Sequence, residues 1–149
     1  MPKHEFRLTA DWFGGRGGEG RIATGNLVTK VSIPEDMKGP GIGTNPDEMM
    51  IGAAATCYII TLAAMLERKK IPVRDLTLET VGIVNVEITG QKFESITHRP
   101  KVVLHHDVTV NQMEEARKAT EVAEKRCMIS NAIRGNVALA VEATVIQEK

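Results

Sequence analysis

Residues 49–66 read MMIGAAATCYIITLAAML, eighteen positions without a charge. No other stretch limits the folding of this chain as much. Just ahead of it, Thr44-Asn45-Pro46-Asp47-Glu48 has the form of a helix start. Asn45 can cap, Pro46 fits the first helical position, and Glu48 stands where a capping box wants a carboxylate. A helix is expected over about residues 46–70, ending before Ile71-Pro72. Its length touches the threshold for a membrane span. Gly52, five alanines, Thr56, Tyr58 and Thr61 make the insertion drive weak, so the reading is a core helix buried on all sides. Such a helix needs cover from every direction, which one sheet and one other helix supply poorly. The expectation is a homodimer with these helices packed centrally, Gly52, Ala53, Ala54 and Ala55 permitting close approach.

The rest of the chain alternates between strand and helix signals. Residues 4–13 place Phe6, Leu8, Ala10 and Trp12 on one face, which is strand spacing. After the glycine-rich loop at 14–20, residues 21–33 alternate again, with Gly25-Asn26 as a tight turn or bulge. Together these give N-terminal strands within 4–33. A long hairpin is expected over 73–110, with Gly90 near its turn. Asn111-Gln112-Met113-Glu114 opens a second, amphipathic helix over about 112–133 that passes Cys127 and stops by Gly135. Residues 136–147 alternate and close the chain as one strand. No internal repeat or linker interrupts this order, so residues 1–149 are expected to form a single α+β domain.

Composition narrows the function. The 149 residues carry 19 Lys+Arg against 19 Asp+Glu, with 3% aromatics. There is no basic excess for phosphates and little for bases to stack on, which argues against nucleic acid. Two cysteines seventy positions apart make neither a disulfide framework nor a Cys-x-x-Cys motif. The N-terminus lacks the apolar segment of a signal peptide. The expectation is a soluble cytoplasmic protein with two thiols and no membrane association.

Those thiols are the candidates for chemistry. Either could be a small core hydrophobe. Cys57 sits about three turns into its helix, too far from that N-terminus to gain from its partial positive charge, and apolar burial would raise its pKa. A reactive Cys57 therefore calls for a cation from elsewhere in the fold. Gly15-x-Gly17-x-x-Gly20 spells a dinucleotide fingerprint, but the segment after Gly20 has strand rather than helix periodicity. A flexible loop that carries Arg16 is the better description. His105-His106 on a strand would point to opposite faces and not share one ion, so no metal site is assigned.

Gly43-Thr44-Asn45-Pro46-Asp47-Glu48 with Ala53-Ala54-Ala55-Thr56-Cys57 resembles the first cysteine motif of the OsmC/Ohr family of hydroperoxide reductases. Cys127-x-x-Ser130-Asn131-Ala132-x-Arg134-Gly135-Asn136 resembles the second, particularly of the Ohr branch, and Gly14-Gly15-Arg16 resembles the arginine loop. The resemblance spans nearly the whole chain. It implies an OsmC-like α+β fold, with antiparallel sheets wrapped around two long central helices in an intertwined homodimer. It also implies reduction of organic hydroperoxides to alcohols with no metal, flavin or other cofactor. Cys57 matches the peroxidatic cysteine, Cys127 the resolving one, and Arg16 the arginine that pairs with the thiolate. The glutamate usual ten positions before the first cysteine is Asp47 here, and Glu48 is its neighbour; either could hold the arginine. Arg21 is an alternative to Arg16. Met128 stands where a proline usually follows the second cysteine. These departures point to a divergent subgroup.

The activity so implied is a two-cysteine peroxidase cycle through a sulfenic acid and a disulfide, reset by a dithiol reductant, with lipoyl groups a candidate. Bridging requires Cα atoms about 4.4 to 6.8 Å apart. Ile59, Ile60, Met49 and Met50 would favour alkyl peroxides over hydrogen peroxide. The alternative is the same fold acting as a redox sensor that does not cycle, or as a binder of a small apolar ligand.

Overall fold

The computed structural model describes residues 1–149. Its packing sorts into two compact units, Met1–Met49 and Met50–Lys149. The fold is α+β, with two sheets and three α-helices.

In the first unit, β1 (Thr9–Phe13), β2 (Glu19–Thr24) and β3 (Leu27–Val31) form an antiparallel sheet in that order. The Thr24↔Leu27 pairing makes Gly25-Asn26 a two-residue turn, and Gly25 at φ 51° supplies the left-handed conformation it needs. The first strand begins at Thr9, so the alternation seen over residues 4–8 does not become sheet. After β3 the chain makes a short 3-10 turn, Glu35–Met37, and returns to Thr44, whose amide donates to Lys30 O at 2.9 Å.

Helix α1 (Pro46–Arg68) begins where the sequence places it. Asn45 Oδ1 accepts from Glu48 N at 2.9 Å, capping the helix. The reciprocal half of the capping box is not made: Glu48 Oε1 takes the Thr44 hydroxyl at 2.8 Å instead. The helix is also not buried on all sides within its own chain. Ala54, Tyr58, Leu62, Met65 and Leu66 form the single buried stripe. Met50, Ala53, Ile60 and Ala64 are exposed, Ile60 by 62%.

In the second unit, β4 (Val73–Glu87) and β5 (Gly90–Leu104), fifteen residues each, make an antiparallel hairpin. Helix α2 (Val110–Arg126) comes next, with Thr109 as N-cap and Gln112 completing a capping box, two residues ahead of the expected start. Its small face, Ala116, Ala119, Thr120 and Ala123, is buried in the same cluster as Tyr58, Leu62, Leu66, Val102 and Leu104. Small side chains there let the helix come close, and Tyr58 O–H donates to Thr120 O at 2.8 Å.

The expected continuous helix through Cys127 is broken. Cys127 is extended (φ −69°, ψ 118°), and a separate helix, α3 (Met128–Ile133), starts after it. No proline forces this. The Cys127 sulfur accepts the Ser130 amide at 3.4 Å and so caps a new helix.

The closing strand is likewise interrupted, into β6 (Ala138–Val141) and β7 (Thr144–Gln147), both parallel to β5. The register is unchanged across the gap: Val141 pairs with His98 and Thr144 with Lys101. His98 O and Leu104 O accept from Glu142 N and Glu148 N, so residues of this parity turn their backbone groups toward the closing strand. Pro100 shares that parity and has no N–H to give, and the ladder lapses opposite it.

Candidate active site

Two elements far apart in sequence bring the cysteines together. Cys57 lies on α1, half-buried, and Cys127 is fully buried at the α2–α3 break. Both are free thiols, and their side chains are hydrogen-bonded to one another.

The start of α3 explains the electrostatics. A helix leaves its first N–H groups without intrahelical partners. Here the Met128 and Ile129 amides hydrogen-bond the Cys57 sulfur, and the Ser130 amide takes the Cys127 sulfur. The next amide, Asn131 N, reaches Cys127 O at 3.0 Å. Burial acts to raise the Cys57 pKa, but the Cys127 thiol, the two amides and the Thr61 hydroxyl together outweigh it and hold the thiol below its usual range. Thr61, one turn on, has a single hydroxyl proton to share between the Cys57 sulfur and Cys57 O, which lies 2.7 Å away. Cys127 moves the other way. Burial and its hydrogen bond to Cys57 push it above the usual thiol range, against the smaller effect of Ser130. The pair is thus polarised, with Cys57 the more acidic and Cys127 keeping its proton.

The sequence calls for a cation from elsewhere in the fold; within this chain hydrogen-bond donors already lower Cys57. The positive helix end that α1 could not offer is supplied by α3. Ile129 and Thr61 carry no signal in the sequence, and Met128 and Ser130 stand out there only within the second cysteine motif, not as donors to sulfur. The available signal was the spacing Cys127-x-x-Ser130, which fits a cysteine serving as N-cap.

Behind the thiols lies a buried polar layer. The Tyr58 ring stacks on His98, centroids 4.5 Å apart and planes 12° from parallel. His98 Nδ1 pairs with Thr80 Oγ1 at 2.9 Å, while its Nε2 is buried without a partner. Burial lowers the His98 pKa, opposed by the charge of Glu124. Burial, with Glu121 and Glu124, drives the Tyr58 phenol upward.

The other sequence candidates lie in the first unit. Arg16 sits in a turn closed by Gly18 N donating to Gly15 O at 3.0 Å, and Trp12 Nε1 donates to the same carbonyl at 3.0 Å. The loop expected to be flexible is therefore tied by hydrogen bonds, and β2 comes after it where a dinucleotide site would need a helix. The Arg16 guanidinium donates to Met37 O at 2.7 Å and Lys38 O at 3.2 Å. Its partners are carbonyls, so its charge is not neutralised, and no ion pair joins it to Asp47 or Glu48. Asp47 is half-buried in the first turn of α1, and Glu48 is exposed. Arg21 is exposed on β2, opposite Asp11 and Lys30.

His105 and His106 come after β5 rather than lying on it, and their Nδ1 atoms both approach Glu148 Oε1, at 3.6 and 3.7 Å. The expectation that they face opposite ways fails because the strand ends at Leu104.

The chain resembles known proteins over most of its length. The family model for OsmC-like proteins matches residues 39–142. The chain is 54% identical over 145 residues to the uncharacterized protein YmaD of Bacillus subtilis, covering 97% of each. It is 26% identical over 144 residues to an organic hydroperoxide resistance protein-like sequence of Staphylococcus aureus, covering 95% of this chain and 96% of that one. The organic hydroperoxide resistance protein OhrB of Bacillus subtilis superposes with a TM-score of 0.71 at 24% identity, over 95% of this chain and 98% of that one. With both cysteine motifs in place on this fold, the chain belongs to the OsmC/Ohr family of OsmC-like proteins.

Proposed function

We propose that the protein is a thiol peroxidase that reduces organic hydroperoxides. Family membership supports a role in peroxide resistance. The observation that carries the finer reading is the meeting of two free thiols, Cys57 half-exposed on α1 and Cys127 buried at the head of α3, with Cys57 shifted down and Cys127 up by their surroundings. A thiolate is the nucleophile, and a neighbouring thiol resolves its oxidised form.

The Cys57 thiolate attacks the distal oxygen of ROOH and the O–O bond breaks. The alkoxide leaves and takes up a proton as ROH, and Cys57 is left as a sulfenic acid. The Cys127 sulfur attacks Cys57, losing its proton, and hydroxide leaves as water. A disulfide remains. An external dithiol then reduces it, returning both thiols and becoming a disulfide itself. Arg16, whose charge no carboxylate matches, is the proposed cation that orients the peroxide.

The exposed stripe on α1 supports a preference for alkyl peroxides and a second copy of the chain. Met50, Ala53, Cys57, Ile60 and Ala64 recur at helical spacing and share one face. The thiol therefore lies on apolar surface that the chain leaves open, and a homodimer would cover it. Steady-state turnover of cumene hydroperoxide with dithiothreitol tests the activity. Repeated turnover, lost in Cys57→Ser, supports the peroxidase; a single oxidation event that then stops favours a sensor.

A further inference from the structure

One guanidinium spans the break that holds Cys127. Arg134 caps the C-terminus of α3, its amide donating to Ser130 O at 2.9 Å. Its side chain turns back across the break. Nη2 donates to Glu124 O at 3.2 Å, in the last turn of α2. Nη1 lies 2.8 Å from Glu124 Oε1, an ion pair whose orientation falls outside hydrogen-bond geometry, so that this buried oxygen has no aligned donor. Nε and Nη2 donate to Asn131 Oδ1, in α3, at 3.3 and 3.1 Å. The carbonyl that receives Arg134 also receives the Cys127 amide, at 3.4 Å. Glu124 itself is buried.

We propose that Arg134 is a positioning residue for the two thiols: by tying Glu124 to Asn131 it fixes the angle between α2 and α3, and so sets Cys127 and the Met128 and Ile129 amides against Cys57. Arginine suits this because its rigid fork can serve several acceptors at once, which the single ammonium of lysine cannot do in the same geometry. No proline succeeds Cys127 to enforce the kink, so the side-chain clamp carries it. The catalytic consequence rests on the peroxidase reading; the placement of the thiols does not.

The test compares wild type, Arg134→Met and Arg134→Lys, as full chains, on two readouts. The first is the pH dependence of Cys57 alkylation by iodoacetamide, located by peptide mass. The second is the fate of Cys57 after one equivalent of tert-butyl hydroperoxide with dimedone present. The sulfenic acid either condenses with the Cys127 thiol, releasing water, or is trapped as the dimedone adduct. In R134M the alkylation midpoint should rise by about one unit, a tenfold loss of thiolate below it, and the adduct should grow at the expense of disulfide. R134K should fall between R134M and wild type. A folded R134M with the wild-type midpoint and the wild-type partition overturns the proposal. Should R134M fail to fold, Glu124→Gln carries the same test, since it removes the ion pair and keeps the Nη2 to carbonyl bond: a smaller shift in the same direction supports the clamp, and no shift overturns it. Wild type that ignores the peroxide refutes the peroxidase, while the alkylation profile still decides the clamp.

Discussion

Cys127 hydrogen-bonds Cys57 across seventy positions of sequence, and the two sulfurs share the first three amides of α3 between them. The acidic thiol is the half-exposed one, and the buried one keeps its proton. A nucleophile must meet a substrate, while a resolving thiol need only meet its neighbour.

If Cys127 helps acidify Cys57, removing it should be felt there. In Cys127→Ala the loss of the thiol donor predicts a higher midpoint for Cys57 alkylation than in wild type. The direction is fixed by which contacts remain: burial still raises the value, and only the amides and Thr61 oppose it. An unchanged or lower midpoint would show that the donor does not matter.

Stability should depend on pH through His98. Burial depresses its folded pKa. As pH falls through about 6.5 the unfolded chain takes up a proton on this imidazole and the folded chain does not. The contribution of His98 is therefore fully present above the unfolded value and is lost as pH falls toward the folded one. His98→Phe keeps a ring against Tyr58 and removes the titration. The drop in Tm between about pH 7.5 and pH 5.5 should be smaller in H98F than in wild type. Equal drops would exclude His98 as a source of acid sensitivity.

Leu62, on α1, is fully buried in the cluster that includes Val102 and Leu104 of the hairpin and Ala116 and Ala119 of α2. Leu62→Ala should lower the unfolding free energy by about 2–5 kcal/mol in urea titration. A loss below about 1 kcal/mol would mean that this stripe is not the core.

Ile60 lies on the opposite, open stripe beside Cys57. In the proposed homodimer, Ile60→Arg should leave the circular dichroism spectrum unchanged and reduce the mass in light scattering from two chains to one. A dimer that tolerates the arginine would place the partner surface elsewhere.

The sequence carried much of this, and its failures share a cause. Asn45-Pro46 and the uncharged run located α1 because capping and periodicity are local. The strand alternation at 136–147 was legible, but the gap at Glu142-Ala143 was not, since it depends on Pro100 in a neighbouring strand. Cys127 as a cap was hidden for a related reason. Its spacing to Ser130 is local, but the clamp from Arg134 to Glu124 that holds the break is tertiary. Cys57 does need positive potential from outside its own helix, as its position in α1 implies. Within this chain, amides of a helix seventy residues away supply part of it. That α1 is apolar all round was plain, whereas which stripe its own chain would cover was not.

The central claim is that these two sulfurs form one redox unit. Titration of the reduced protein with tert-butyl hydroperoxide, read by intact mass after alkylation of free thiols, tests it most directly. Wild type should lose two hydrogens and both alkylation sites at one equivalent, with neither change in Cys57→Ser and a trapped sulfenic acid in Cys127→Ala. Persistence of two alkylatable thiols in wild type after peroxide would contradict it.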